Sequence, residues 1–300
     1  MDLVRALVTG ANGFLGHYLI KSLLNQSFEV IGTGKGSSRL LFDSHLPFEY
    51  NSLDLQDNHG FEKLFSEKSP AIVIHAGAMT QVDQCELNRE QCYETNFIAT
   101  RNILDLANKY GAFFLFMSTD FVFDGQTGNY SELDPLSPVN WYGSTKMEAE
   151  GIVRQFGGDW SIVRTCLVYG QAVGTRQNII TWVYSQLKKG EKIKVVDDQV
   201  RTPTYVRDLA EGIVLIVRSR ALGIFHLSGE EIFTPYQMAI RTAQFCGLDS
   251  GLIERANASN FSQPAARPAI TGFNIEKAKS TLGFLPTPFD NALTGIFSAG

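Results

Sequence analysis

The chain has 300 residues, 44% hydrophobic and 19% charged, a composition that builds a sizeable core and excludes intrinsic disorder. At about 100–200 residues per domain, that length fits one large domain or two intimate ones. With 26 Lys and Arg against 31 Asp and Glu the net charge is −5, which argues against a general nucleic-acid or polyanion binder.

In chain order, residues 3–8 read as a short buried strand; Arg5 within the run, and the glycine motif just after it, argue against a secretory leader. Residues 14–24 read as a helix with Leu15, Leu19 and Leu23 on one face. Strand signals follow at 28–32 and 71–76, a long helix at 86–110, a strand at 112–118, a helix at 140–156 and a strand at 161–169. Such alternation pairs strands in parallel through right-handed crossovers. After Gly170 the spacing predicts a helix at 181–188, a strand at 192–196, a helix at 206–218, a strand at 223–227 and short helices at 235–246 and 275–282. The apolar runs at 111–117 and 212–217 are too short to span a membrane, so a cytoplasmic protein is expected. Cys85, Cys92, Cys166 and Cys246 form neither a CxxC nor a Cys/His cluster, so reduced, buried thiols are expected, with no zinc site and no disulfide framework. The scattered carboxylates predict no other metal site.

Val8-Thr9-Gly10-Ala11-Asn12-Gly13-Phe14-Leu15-Gly16 sets glycines three apart between a strand and a helix. Gly10 suits the tight turn, Gly13 the approach of a pyrophosphate, and Gly16 close helix–strand packing, with the helix N-terminus aimed at the phosphates. A carboxylate for a ribose 2′-hydroxyl is missing where the second strand ends; Lys35 and Arg39 stand there instead, with Ser37 and Ser38. That favours NADP(H), with NAD(H) possible. Asp54, beside Leu55, either accepts from the adenine amino group or caps a turn.

Tyr142-Gly143-Ser144-Thr145-Lys146 puts tyrosine and lysine on one helical face. The ammonium is expected to lower the tyrosine pKa toward neutrality and make the phenol a usable proton donor. Alone, this spacing more often marks a surface Tyr and a solvated Lys. Its companion, Phe116-Met117-Ser118-Thr119-Asp120, ends an apolar strand at the edge where open α/β sheets bind ligands. Thr119 either hydrogen-bonds a substrate carbonyl or caps its own backbone. Asn96 lies on a stripe with Cys92, Ala99 and Ile103, as a satisfied core amide or as an active-site support. His75 ends a strand at the same edge and reads as a satisfied core histidine with no assigned proton transfer.

With these motifs in this order the chain resembles the extended short-chain dehydrogenase/reductase family, in the branch of dTDP-4-dehydrorhamnose reductases and their relatives. The resemblance is carried by Thr9 to Gly16, His75-Ala76-Gly77-Ala78-Met79-Thr80 with Val82, Asp83 and Glu86, and Ser118-Thr119-Asp120-Phe121-Val122-Phe123-Asp124-Gly125. Tyr142 to Lys146, Arg164-Thr165, Val168-Tyr169-Gly170, Asp198-Gln199, Thr202-Pro203-Thr204, Phe225-His226-Leu227-Ser228-Gly229 and Arg267-Pro268 extend it over most of the chain. It implies a Rossmann-type doubly wound parallel sheet with a smaller C-terminal substrate-binding α/β subdomain. Residues 1–170 would form the dinucleotide-binding domain, with 206–228 returning to it, and 171–205 with 229–300 the substrate subdomain.

The resemblance implies an oxidoreductase of deoxysugar biosynthesis that reduces the C4 ketone of a nucleotide-linked 4-keto-6-deoxy sugar. Thr119, Tyr142 and Lys146 would be catalytic. Gly10, Asn12, Gly13, Phe14, Leu15, Gly16, Lys35, Arg39, Asp54, Leu55, Ala76, Gly77, Ala78, Tyr142 and Lys146 would hold the cofactor. Thr80, Val82, Thr119, Phe121, Arg201 and Arg267 would meet the substrate. Cys166-Leu167 departs from the Ser-Trp common in rhamnose-forming reductases, and Arg201 replaces a common glycine, which leaves the sugar open. An epimerase or dehydratase of the same superfamily, or a non-catalytic NADP-binding regulatory subunit like that of methionine adenosyltransferase, is the alternative. Relatives often dimerise, so a homodimer is possible; neither nucleic acid nor a membrane is expected as partner.

Overall fold

The computed structural model describes residues 3–40, 42–43, 45–171 and 177–298. Its central sheet has seven parallel strands: β1 (Arg5–Thr9), β2 (Glu29–Gly34), β3 (Phe48–Ser52), β4 (Ile72–His75), β5 (Phe113–Thr119), β6 (Trp160–Thr165) and β10 (Gly223–His226). They lie in the order β3-β2-β1-β4-β5-β6-β10. Side chains alternate across it: Phe113, Leu115 and Met117 enter the core on one face, Phe114 and Phe116 the core on the other. Strands buried on both faces read as continuous apolar runs, which is why they were visible in the sequence. The strand order reverses between β1 and β4, and the crevice at their carboxyl ends is where a doubly wound sheet binds ligands.

The helices are α1 (Phe14–Asn25), α2 (Asn58–Lys68), α3 (Val82–Leu87), α4 (Arg89–Tyr93), α5 (Ala99–Lys109), α6 (Trp141–Arg154), α7 (Ile179–Lys188), α8 (Val206–Ser219), α9 (Pro235–Phe245), α10 (Glu276–Leu282) and α11 (Phe289–Phe297). Leu19 and Leu23 of α1, Leu209, Ile213 and Ile216 of α8 and Leu293 of α11 cover one face of the sheet. Phe61 and Phe65 of α2, Ile103 of α5 and Ala149 and Val153 of α6 cover the other. A third, smaller core joins α7 and α9 to a parallel pair, β8 (Ile193–Val196) with β11 (Ile253–Ala256). Two short strands, β7 (Val168–Tyr169) and β9 (Thr204–Tyr205), pair beside the main sheet. This is a Rossmann-like α/β fold. No helix among the described residues is long and apolar enough to cross a membrane.

Five elements lay outside the sequence expectations: β3, α2, β9, β11 and α11. Strand β3 is an edge strand, half exposed along its length, so it carries no apolar run. The long helix expected at 86–110 is broken twice. Asn88 leaves helical geometry (φ −127°, ψ 59°) between α3 and α4, and a π-helical turn, Glu94–Ile98, precedes α5. The strand expected at 161–169 is likewise interrupted at Cys166 and Leu167, where Leu167 takes a left-handed φ of 38°.

Candidate active site

Gly10 turns the chain at the carboxyl end of β1 with φ +73°, and a Cβ there would lie 2.8 Å from the Gly77 backbone, so the turns after β1 and β4 approach this closely only at a glycine. A Cβ on Gly13 would lie 2.9 Å from the Gly10 carbonyl oxygen, and one on Gly16 would lie 2.4 Å from that of Ala11. Gly13 caps α1 without a side-chain bond, and the first turn, beginning Phe14-Leu15, holds no acid. The positive end of α1 therefore faces this cradle with bare backbone N–H groups, which suits an anionic diphosphate. These residues fit a nicotinamide dinucleotide.

The segment Ala76-Gly77-Ala78 is pinned from below. The Gly77 N–H donates to Thr9 Oγ1 (3.0 Å), and the Thr9 hydroxyl meets His75 Nδ1 (2.9 Å). Thr100 lies 3.0 Å from His75 Nε2 and donates its own proton to the Asn96 carbonyl (2.7 Å). Hence Nε2 carries the ring proton and Nδ1 accepts from Thr9. Burial, with the Lys146 charge, holds the His75 pKa down to about 3. His75 is thus a neutral, satisfied core histidine.

At the far end of the cradle, Asn12 Nδ2 donates to the Ser37 carbonyl (3.0 Å) and its Oδ1 accepts from the Arg39 N–H (2.9 Å). Tyr50 Oη donates to the carbonyls of Gly34 (2.8 Å) or Gly36 (2.9 Å). The loop that carries Lys35 and Arg39 is therefore clamped to the glycine turn. Lys35 and Asp54, given separate roles by the sequence, form an ion pair with each other at 2.6 Å. Strands β2 and β3 cause this: the Leu53 N–H donates to the Gly34 carbonyl (3.0 Å), so the residues after each strand are neighbours. The Lys35 ammonium holds the Asp54 carboxyl below its ordinary range. Arg39 is exposed. Leu55 covers Gly77, where a Cβ would meet its methyls at 3.0 Å.

Thr119 ends β5 and Tyr142 opens α6. Asn140 caps the helix, accepting from the Gly143 N–H (2.8 Å). A Cβ on Gly143 would lie only 2.1 Å from the Phe121 carbonyl oxygen. This glycine lets the first turn of α6 sit directly on the turn that follows Thr119, which brings the Tyr142 phenol into the neighbourhood of the Thr119 hydroxyl. Phe121 packs edge-on to Tyr142, with centroids 6.1 Å apart. Val82 and Met79 join Cys85 and Cys92 beneath the ring, and Thr80 is exposed nearby in sequence. Lys146 lies one turn on, buried, with Nζ 3.9 Å from the Phe116 ring centroid. Burial brings its pKa down to about 7, against the opposing field of Glu150 and the Cys92 and Cys85 thiols. Burial pushes the Tyr142 phenol up, the nearby Thr119 hydroxyl lowers it and Asp120 raises it. The expected acidification of Tyr142 by Lys146 is not seen in the chain by itself, where desolvation dominates and the phenol is held protonated.

Asn96 spends its side-chain hydrogen bonds on Met79, Cys92 and Thr145. Its Oδ1 accepts from the Met79 N–H (2.8 Å), and its Nδ2 donates to the Met79 carbonyl (3.0 Å) and to Thr145 Oγ1 (3.2 Å). The two arginines expected at the substrate are already engaged. Arg201 is buried and donates to the carbonyls of Val200 (2.8 Å), Ala269 (3.0 Å) and Pro268 (2.7 Å) and to Gln199 Oε1 (3.3 Å), with Nε 3.7 Å from Asp120. It braces the loop after residue 267 and does not offer a free fork to a diphosphate. Arg267 makes a bidentate pair with Asp83 of α3 and also donates to the Ala265 carbonyl (2.6 Å).

Asp120 was missed. It is buried, takes hydrogen bonds from Thr119 (3.2 Å), Cys166 Sγ (3.3 Å) and Thr271, and is pushed up by burial against the pull of Arg201. Only its place beside Thr119 hinted at this; the other three partners, Cys166, Arg201 and Thr271, come from distant segments. Cys166, one of the two departures from the family pattern, is therefore spent on Asp120.

The family model described as "RmlD substrate binding domain" matches residues 4–299. A probable low-salt glycan biosynthesis reductase of Haloferax volcanii is 30% identical, over 98% of this chain and 97% of that one. Methionine adenosyltransferase 2 subunit beta of Xenopus tropicalis is 32% identical, over 82% and 73% respectively. Among solved structures, dTDP-4-dehydrorhamnose reductase of Bacillus anthracis in complex with NADP superposes with a TM-score of 0.86 at 28% identity, covering 100% of both chains.

Proposed function

The chain belongs to the RmlD substrate binding domain family, in the extended short-chain dehydrogenase/reductase group, and from that premise we propose that it reduces the C4 ketone of a nucleotide-linked 4-keto-6-deoxy sugar with NADPH. The observation that carries this is the seating of the first turn of α6, with Tyr142, directly on the turn after Thr119, beside buried Lys146 and at the same sheet edge as the glycine cradle. Gly10, Gly13, Gly16 and the N-terminus of α1 would hold the diphosphate, and Lys35 and Arg39 a 2′-phosphate. The bound nicotinamide supplies the hydride. Thr119 polarises the carbonyl, and Tyr142, protonated at neutral pH, gives its proton to the developing alkoxide. Lys146, as the ammonium, eases that transfer by stabilising the phenolate left behind. The core built on α7, α9, β8 and β11 would carry the sugar-nucleotide side of the cleft.

NADPH oxidation at 340 nm with a dTDP-linked 4-keto-6-deoxyhexose, and with UDP- and GDP-linked ketosugars as controls, tests the reading. Turnover is expected with the dTDP sugar, and Tyr142→Phe is expected to lower kcat by about a thousandfold or more, in the range of a lost acid catalyst, with NADPH affinity kept. Near-normal turnover of Tyr142→Phe overturns the assignment. The 32% identity to a methionine adenosyltransferase subunit favours a second reading, a cofactor-binding subunit without turnover. Tight NADPH binding, no ketosugar reduction and a stable complex with a larger enzyme would select it.

A further inference from the structure

Helix α6 carries a third buried ionisable group behind the two of the site. Tyr142, Lys146 and Glu150 recur every four residues, so they line one face, and Glu150 is fully buried. Its Oε1 accepts from Ser118 Oγ (2.6 Å) and Arg164 Nε (2.9 Å); its Oε2 accepts from Arg164 Nη2 (2.7 Å) and Arg154 Nη2 (3.3 Å). Ser118 directly precedes Thr119, and Arg164 is its register partner on β6. One carboxylate thus joins the middle of α6 to the ends of β5 and β6, immediately below the catalytic hydroxyl.

Lys146 has no such partner. Among the described residues no carboxylate reaches ion-pair distance of its Nζ, which lies over the Phe116 ring. The polar groups around it are His75 of β4, held neutral, the Cys85 thiol of α3, the Cys92 thiol of α4 and Tyr142 and Glu150 of α6. The Cys85 thiol donates to the Met79 carbonyl (3.3 Å), and Cys92 Sγ accepts from Asn96 Nδ2 (3.3 Å). Arg164 sends its remaining Nη1 away from the helix, to His226 Nε2 (3.2 Å) and the Glu132 carbonyl (3.4 Å). Glu150 is the first of the fields that favour the ammonium of Lys146.

We propose that Glu150 is a positioning residue for the reduction proposed above: it fixes α6 in register with Thr119 and supplies the negative charge that keeps Lys146 an ammonium. The inference rests on that reading for its kinetics but not for its charge. If Glu150 holds Lys146 charged, removing it makes Lys146 lose its proton at lower pH. The reduction then fails earlier on the alkaline side, because neutral Lys146 no longer stabilises the phenolate.

The test reads the 13C chemical shift of Lys146 Cε against pH in the NADP-loaded chain, without substrate. Beside it, the alkaline limb of single-turnover NADPH oxidation is followed with the ketosugar nucleotide. Glu150→Gln is expected to lower both midpoints by about half a pH unit or more, and Glu150→Asp, which keeps the charge, to leave the Cε midpoint in place. Where Glu150→Gln does not fold because Arg164 is stranded, Glu150→Gln with Arg164→Met removes both charges and is expected to lower the midpoint by a smaller amount, since a more distant cation is lost with the anion. A merely structural role would leave that midpoint at the wild-type value. An unmoved Cε midpoint in whichever of these variants folds overturns the proposal. So does a drop produced by Cys85→Ser with Cys92→Ser and not by Glu150→Gln. A shifted Cε midpoint with no ketosugar reduction under any condition refutes the reductase reading and leaves the charge assignment standing.

Discussion

Gly143→Ala is the sharpest probe of how this site is assembled. The added Cβ would lie 2.1 Å from the Phe121 carbonyl oxygen, where an ordinary carbon–oxygen contact is about 3.3 Å. Roughly 1 Å must therefore open between the first turn of α6 and the turn after Thr119, and backbone stands on both sides of the clash. Tyr142 rides on one side and Thr119 on the other. A misplacement of that size costs about a hundredfold in turnover, or about 2.7 kcal/mol of barrier. Stability changes less, because about 1–3 kcal/mol of overpacking is offset by about 1 kcal/mol from removing a helical glycine. Gly151, two turns further along α6, is the internal control, since nothing stands within 4 Å of its Cβ position. Gly151→Ala is expected to leave kcat unchanged and to raise Tm by about 2 °C, as a gain near 1 kcal/mol does in a chain of this size. The assay is kcat for NADPH oxidation with the ketosugar nucleotide, with Tm measured on the same preparations. If Gly143→Ala behaves like Gly151→Ala, with normal kcat and raised Tm, the close approach of α6 to Phe121 does not set the geometry of Tyr142.

Arg39→Ala should lower the kcat/KM preference for NADPH over NADH by about tenfold or more, the scale of one charge-assisted hydrogen bond. Lys35→Ala should lower it less, because the Lys35 ammonium is shared with Asp54; equal losses in the two variants would contradict that sharing. His75 is held near 3 in the fold against 6.5 when free, so between those values the unfolded chain binds a proton that the native chain does not. Its contribution is therefore fully present above about pH 6.5 and is lost as pH falls toward 3, and His226, also lowered to about 3, acts in the same direction. The urea midpoint should fall as pH drops from 6.5 to 4, and fall less steeply in His75→Gln. An identical slope in the variant would assign the acid sensitivity elsewhere.

Much of the framework was legible because it is local. Buried strands such as β5 are unbroken apolar runs, α1 and α8 show their apolar stripes, and the glycine spacing reports a turn that any chain with those residues would favour. The i,i+4 relation of Tyr142 and Lys146 also needs nothing beyond helical geometry. Elements whose stabilisation is not local were less visible. The half-exposed β3 carries no period, and the π-helical turn at Glu94–Ile98 interrupts an otherwise continuous helical pattern so that Asn96 can clamp Met79 and Thr145.

The identities of Lys35, Asp54, Arg201 and Arg267 as charged residues near the cleft were set by the amino-acid sequence. Whom each one faces was not. Arg267 is 184 residues from Asp83, and Arg201 is 68 residues from Ala269. Both partners arrive through strand crossovers and loop packing that leave no periodic trace in either segment. The same holds for Asp120 with Thr271, and for Glu150 with Arg164. A one-dimensional pattern determines which face a side chain takes on its own helix or strand. Only the packing of those faces decides which charges are desolvated together, and with them which groups stay free for ligand and which are committed to the fold.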